Sequence, residues 1–179
     1  MTQNRTLSLI LAAFGAAIIA ALAQIIIPIG AVPITLQTFA VGLVATILKP
    51  REATLAATLY LILGAIGLPV FAGGGGGLQA FFGPSAGYLL AYPFFALVTS
   101  ALAHAKTPIW KIFLAFVLGD ALVFVGGILS LHFLGKMGWS AAVAVGLTPF
   151  IIPDLLKGLI VALVTKPVLK ALKNHSYFN

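Results

Sequence analysis

Long apolar runs alternate with short polar or glycine- and proline-rich breaks along this chain, and the runs are of helix length rather than strand length. Leu7 to Ile27 is uninterrupted by charge and predicts a first membrane span, ended by Pro28, Gly30 and Pro33. Thr35 to Leu48 predicts a second, rather short span whose polar residues Thr35, Gln37 and Thr38 gather at its start. Lys49, Pro50, Arg51 and Glu52 form a tight turn, and Ala53 to Leu68 predicts the third span. A glycine segment follows, closed by Gly83 and Pro84. Ser85 to His104 predicts the fourth span, and Lys106, Thr107, Pro108 and Lys111 the next turn. Trp110 to Leu134 predicts the fifth, and Gly135 to Gly146 reads as loop, short interfacial helix or both. Thr148 to Leu169 predicts the sixth, with Pro149 and Pro153 in its first turns, where proline is tolerated.

Composition strengthens this pattern. The 179 residues are 61% hydrophobic and 7% charged, against about a quarter charged in soluble domains. A soluble fold of this length has too little interior to hide so much apolar surface. The expectation is an all-α integral membrane protein, one six-helix domain over residues 1–179. The first run is too long for a signal-peptide core and reads as a retained helix. With no cysteine, disulfides and thiolate chemistry are excluded.

Charge sets the topology. Arg5, Lys49, Arg51, Lys106, Lys111, Lys166, Lys170 and Lys173 fall on one side of six spans, and Lys136 stands alone on the other. This bias predicts both termini to be cytoplasmic, and it explains the net charge of +7 without nucleic acid. The glycine-rich loop, residues 69–87, then lies outside, with the Pro28 to Gln37 connection and the start of the sixth span.

The chain has three acids. Glu52, among Lys49 and Arg51, reads as a solvated charge. Asp154 and Lys157, three residues apart, share one helical face. Charges within a span are costly unless paired or wet, so the two form either an ion pair that fixes helix packing or a polar ligand site. Asp154 lies about six residues into its span, roughly 9 Å below the helix start. Asp120, near mid-span, has a structural or a functional role with no identified partner.

Gly73 to Gly77 is not a phosphate loop, because Leu78 and Gln79 follow where Gly-Lys-Ser or Gly-Lys-Thr is needed. Such a run can fold closely over a small ligand, and Phe71, Phe81, Phe82 and Tyr88 surround it. On the first span, Ala12, Ala16 and Ala20, beside Ala13, Ala17 and Ala21, give a smooth strip for close helix approach, within this chain or by a partner subunit. His104, His132 and His175 have no metal-ligand spacing. With no nucleophile constellation or nucleotide motif, the chain reads as no enzyme and as having no cofactor or metal; any motor lies in another subunit.

Val32 to Leu43 (VPITLQTFAVGL), Gly64 to Leu90 (GAIGLPVFAGGGGGLQAFFGPSAGYLL) and Ile151 to Leu163 (IIPDLLKGLIVAL) together resemble the BioY family, the biotin-binding S-components of energy-coupling factor (ECF) transporters. The resemblance covers most of the chain in order. It implies six helices, a biotin site near the external face, and dependence on a T-component and two ATPase subunits in a prokaryotic cytoplasmic membrane. It carries the family's last-helix acid and lysine onto Asp154 and Lys157, and the T-component docking surface onto Ala12, Ala13, Ala16, Ala17 and Ala20. Ser85 and Ala86 stand where the family usually has Thr and Gly, and Phe124 where a tyrosine is expected.

Biotin offers ureido donors and an acceptor, an apolar bicycle and chain, and a carboxylate. On this reading Asp154 accepts from a ureido N–H and Lys157 meets a carbonyl or carboxylate oxygen. Thr35, Gln37, Gln79 and Ser85 supply other polar contacts, Phe71, Phe82 and Tyr88 wall the rings, and Gly75 belongs to a lid. The alternatives are an S-component for another vitamin, such as thiamine or riboflavin, a stand-alone secondary transporter, a membrane enzyme and a structural scaffold.

Overall fold

The computed structural model describes residues 2–28, 32–103, 107–175 and 177–178. Gly30, His104 and Lys106 lie outside the described residues. The expected helices are present: α1 (Thr2–Leu22), α2 (Gln37–Ile47), α3 (Pro50–Ala65), α4 (Ala86–Leu102), α5 (Ile109–Phe133) and α7 (Ile151–Leu172). Of the two readings for Gly135 to Gly146, the structure contains both: a loop, then the short helix α6 (Trp139–Gly146).

Several boundaries differ, each for a local reason. α1 stops at Leu22, five residues early, where the Gln24 side chain folds back to donate to the Ala20 carbonyl at 3.0 Å. Beyond it, the β-branched pair of β1 (Ile26–Ile27) joins β2 (Ile34–Thr35) in an antiparallel ribbon, with Ile26 opposite Thr35. The expected turn at Lys49 to Glu52 is already helix: Pro50 occupies the first helical position of α3, and Glu52 lies in the first turn, where the helix dipole favours an acid. Nor is Glu52 solvated. It is 6% exposed, accepting from Ser8 Oγ at 2.6 Å and from the Tyr177 hydroxyl at 2.9 Å.

α1 and α5 are each long and apolar enough to cross a membrane, and α6 with α7, bent by 43° at their junction, make a third such unit. α2 is an 11-residue helix, about 16 Å long at 1.5 Å per residue, well short of the roughly 30 Å hydrocarbon core. Its start lies inside the protein, against a cavity, so the polar residues that shorten it never meet lipid.

The centre is closed by aromatic rings resting on glycine. The Phe116 ring of α5 occupies the space that a side chain at Gly42 of α2 or Gly158 of α7 would need, and it meets Phe95 of α4 edge-on with ring centroids 5.2 Å apart. Two polar rungs tie α2 to α7. One joins Thr46 to Thr165 at 2.8 Å; the other, nearer the helix starts, joins Thr38 to Asp154 and Lys157.

The alanine strip divides in two. Ala12 and Ala16 are buried by the chain itself, because this face of α1 lies against α3 and α2: a side chain at Gly15 would meet Ala56 at 2.8 Å and Val44 at 3.0 Å. They are therefore unavailable for docking a partner. Ala13 and Ala17 are exposed and Ala20 is half-buried, next to exposed Leu9, Ile10 and Phe14.

Candidate functional site

The site is built around the first turn of α7. Asp154 and Lys157 are 5% and 8% exposed. The expected depth of Asp154 needs correction. Thr148 to Phe150 form a turn, α7 begins at Ile151, and Asp154 sits in its first turn with its backbone N–H bonded to the Phe150 carbonyl. The carboxylate therefore also benefits from the positive end of the helix dipole.

Lys157 Nζ donates to Asp154 Oδ1, forming the ion pair, and to Thr38 Oγ1 at 3.0 Å, while Thr38 Oγ1 donates to the same Asp154 oxygen at 3.3 Å. An ammonium carries three donors and a carboxylate two acceptor oxygens. Among the described residues, one Lys157 proton and Asp154 Oδ2 remain unused. The cluster holds itself in place while keeping one donor and one acceptor for a ligand.

That pair opens onto a cavity of about 440 Å³, within the roughly 300–1,000 Å³ range of small-ligand pockets. Nine of the ten sequence-predicted binding residues line it: Thr35, Gln37, Phe71, Gly75, Gln79, Ser85, Tyr88, Asp154 and Lys157. Phe82 does not. It is 76% exposed at the end of a 3-10 turn (Leu78–Phe81) and is absent from the cavity wall, so the role expected of it is corrected.

Four of these residues gain a structural account. Gln37 donates through Nε2 to the Tyr60 hydroxyl at 2.6 Å and accepts through Oε1 from Thr35 Oγ1 at 3.0 Å; Thr35 in turn accepts from the Gln37 backbone N–H. These two residues hold the start of α2 against α3. Gln79 donates to the Gly76 carbonyl at 2.7 Å and fastens the loop. Tyr88 gives its ring to the cavity and its hydroxyl to the Gly146 carbonyl at 2.7 Å, joining α4 to the end of α6.

The glycine loop is held in place at several further points. The Phe71 ring packs edge-on against Tyr60 (5.4 Å) and Phe81 (5.7 Å), on the bare backbone of Gly64, where a side chain would collide with it. Phe71 N–H also bonds the Gly75 carbonyl at 2.9 Å, closing a tight turn whose centre, Gly73 and Gly74, has φ of +63° and +81°. Side chains strongly disfavour two successive left-handed residues. Gln24 reaches the same loop, donating to the Val70 carbonyl at 3.3 Å.

Sequence reasoning did not assign Thr38, Tyr92, Val123 and Phe150 to the cavity. The polar Thr38 within an apolar run was a usable signal; the other three look like ordinary core. A larger cavity of about 630 Å³ lies elsewhere, lined by Lys49, Lys111, Leu169 and Tyr177. It shares no residue with the Asp154 site and contains no acid.

Comparison with known proteins bears on this geometry. The BioY family pattern matches residues 1–174. The chain is 43% identical to the biotin transporter BioY2 of Lactococcus lactis subsp. cremoris over 99% of both chains. It is 39% identical to the biotin transporter BioY of Thermotoga maritima, over 87% of this chain and 92% of that protein. Among solved structures, a crystal structure at 2.1 Å of the S-component for biotin from an ECF-type ABC transporter superposes with a TM-score of 0.86 at 27% identity, covering 100% of this chain and 99% of that one. Helical architecture, motif order and full-length similarity agree: the chain is a multi-pass membrane protein and belongs to the BioY family.

Proposed function

We propose that this protein binds biotin in the Asp154–Lys157 cavity and delivers it as the substrate-binding membrane subunit of an ATP-driven ECF transporter. The observation that carries the reading is the buried Asp154–Lys157–Thr38 cluster, which keeps one free donor and one free acceptor among the described residues and whose three residues line a cavity walled mainly by aromatic and aliphatic side chains. A cyclic urea presents N–H next to C=O and matches that pair. Asp154 Oδ2 accepts a ureido N–H, and the remaining Lys157 proton goes to a carbonyl or carboxylate oxygen of the ligand. Phe71, Tyr88, Tyr92 and Phe150 supply apolar contact for the bicycle and chain, and exposed Gln79 and Ser85 stand at the mouth for the opposite polar end. The loop closed by Phe71 and Gly75 lines the site and serves as its lid, so ligand entry and release require the loop to move.

The protein supplies recognition and no chemistry. The motor is a T-component with two ATPase subunits, and the exposed Ala13–Ala17 face of α1 is the surface that suits a transmembrane partner. On this reading the cavity faces outward across a prokaryotic cytoplasmic membrane with both termini inside, which the basic residues Lys49 and Lys111 at the opposite end support.

Calorimetric titration of the purified protein in detergent with biotin, thiamine and riboflavin tests this. Saturable 1:1 binding of biotin alone is expected. Preferential binding of either other vitamin, or no binding of biotin, overturns it. Biotin uptake by cells lacking every ECF subunit would overturn the assembly and point to a stand-alone transporter.

A further inference from the structure

The recognition scheme leaves one buried acid without a task. Asp120, in the middle of α5, is 5% exposed, and its Oδ1 is fully buried with no hydrogen-bond partner among the described residues. It lines a small side cavity of about 150 Å³ between α5 and α7, together with Phe124, Leu155 and Asp154. Asp154 and Phe124 also line the main cavity. The Asp154 side chain is therefore shared by two spaces, with Lys157 and the ligand on one side and Asp120 on the other.

The helices packed against α5 supply few titratable groups near it. α4 carries Tyr88 and Tyr92, α2 and α6 carry none, and α7 carries Asp154 and Lys157. Lys166 and Lys170 lie nine or more positions past Lys157, more than about 13 Å farther along the helix. On α5 itself, Lys111 and His132 are at its ends. Among the described residues, the one ammonium close by, that of Lys157, already donates to Asp154 Oδ1 and Thr38. A metal ion would find no further oxygen in the side cavity, whose other walls, Val117, Ala121, Phe124, Ile151 and Leu155, are apolar; hard cations take six or more oxygen ligands. An isolated carboxylate in such surroundings is costly, so the neutral acid is the favoured form near neutral pH and the charged form is reached only on the alkaline side.

We propose that Asp120 is a positioning residue for Asp154: it holds a proton while ligand is bound, and its ionisation weakens ligand binding by placing a second negative charge beside the Asp154–Lys157 pair. The ionised form competes for Lys157, disfavours the Asp154 carboxylate that accepts the ligand's N–H, and repels an anionic tail. The inference rests on the biotin reading above and adds a proton linkage to it.

The test is calorimetric titration of the full-length protein in detergent with biotin between about pH 6 and pH 9.5, a window in which biotin's own carboxyl stays ionised. Wild type is expected to lose at least about tenfold in affinity toward the alkaline end, equivalent to ~1.4 kcal/mol. Asp120→Asn, which mimics the neutral acid in size, should bind within about threefold of wild type near pH 7 and lose most of the alkaline decline. Asp120→Ser serves the same purpose if the Asn variant does not fold. A flat wild-type profile, or the same alkaline decline in wild type and variant, overturns the proposal while leaving the biotin site standing. A variant that binds far more weakly than wild type near pH 7 also overturns it. Wild type that binds no biotin at any pH overturns the biotin reading, and this inference with it.

Discussion

Replacing Lys157 with methionine keeps the length of the side chain and removes its charge, which separates two roles that the Asp154–Lys157 pair could play. Asp154 would keep the 3.3 Å bond from Thr38 and lose its ammonium partner. Breaking a buried ion pair from one side costs about 3–5 kcal/mol, because the other charge is left uncompensated. Thr38 lowers that figure somewhat, and Lys157→Met should still unfold at a clearly lower temperature than wild type. For biotin, the variant lacks a charged hydrogen bond worth about 1.5–3 kcal/mol, or roughly ten- to more than a hundredfold in affinity. The informative comparison is the double variant Asp154→Asn/Lys157→Met. It leaves no orphaned charge, so its thermal stability should recover toward wild type, while its affinity stays lost. Thermal unfolding in detergent and calorimetric titration on the same samples measure both. If stability and binding return together in the double variant, or if Lys157→Met binds like wild type, the pair is a packing device and the recognition scheme is wrong.

Three other perturbations address the supporting parts. Thr38→Val removes the hydroxyl that accepts from Lys157 and donates to Asp154; by titration it should weaken biotin binding by about 1–3 kcal/mol, and an unchanged affinity would show that the pair needs no third member. Gly87→Val puts a side chain into the Gly126 carbonyl, where α4 and α5 touch backbone to backbone, and should cost about 1–3 kcal/mol of thermal stability; a stable variant would contradict that close approach. At the other end of the bundle, burial, the leading cause, holds the Tyr177 phenol above its usual range; the backbone N–H of Lys49 lowers it and Glu52 raises it again. The folded state thus favours the neutral phenol, so the contribution is complete below about pH 10 and is lost as pH rises through the folded value. Tyr177→Phe should flatten that part of the alkaline fall in unfolding temperature and leave biotin affinity unchanged; an identical alkaline fall in both proteins would contradict it.

The helices and the binding cavity could be read from the sequence because membrane burial leaves few polar residues, and each must have a reason. Asp154 and Lys157 stood out as charges in a span, and Thr35 and Gln37 as polar groups at the start of an apolar run; all four reach one cavity. What the sequence did not reveal depends on rotation about a helix axis or on distant partners. Ala12 and Ala13 look equivalent in the sequence, yet one is buried against α3 and α2 and the other exposed, a difference of one position around α1. Phe71 and Phe82 both flank the glycine run, but only Phe71 finds a bare glycine, Gly64, to rest on. Glu52 looked solvated among its basic neighbours because its donors, Ser8 and Tyr177, are 44 and 125 positions away.

A structure of this protein determined with biotin decides whether the Asp154–Lys157 cavity is the biotin site. The ureido ring is expected within hydrogen-bond reach of Asp154 Oδ2 and Lys157 Nζ, under the loop that runs from Phe71 to Gln79. Biotin bound in the cavity lined by Lys49 and Lys111, or in the main cavity with its ureido ring away from Asp154, would contradict it.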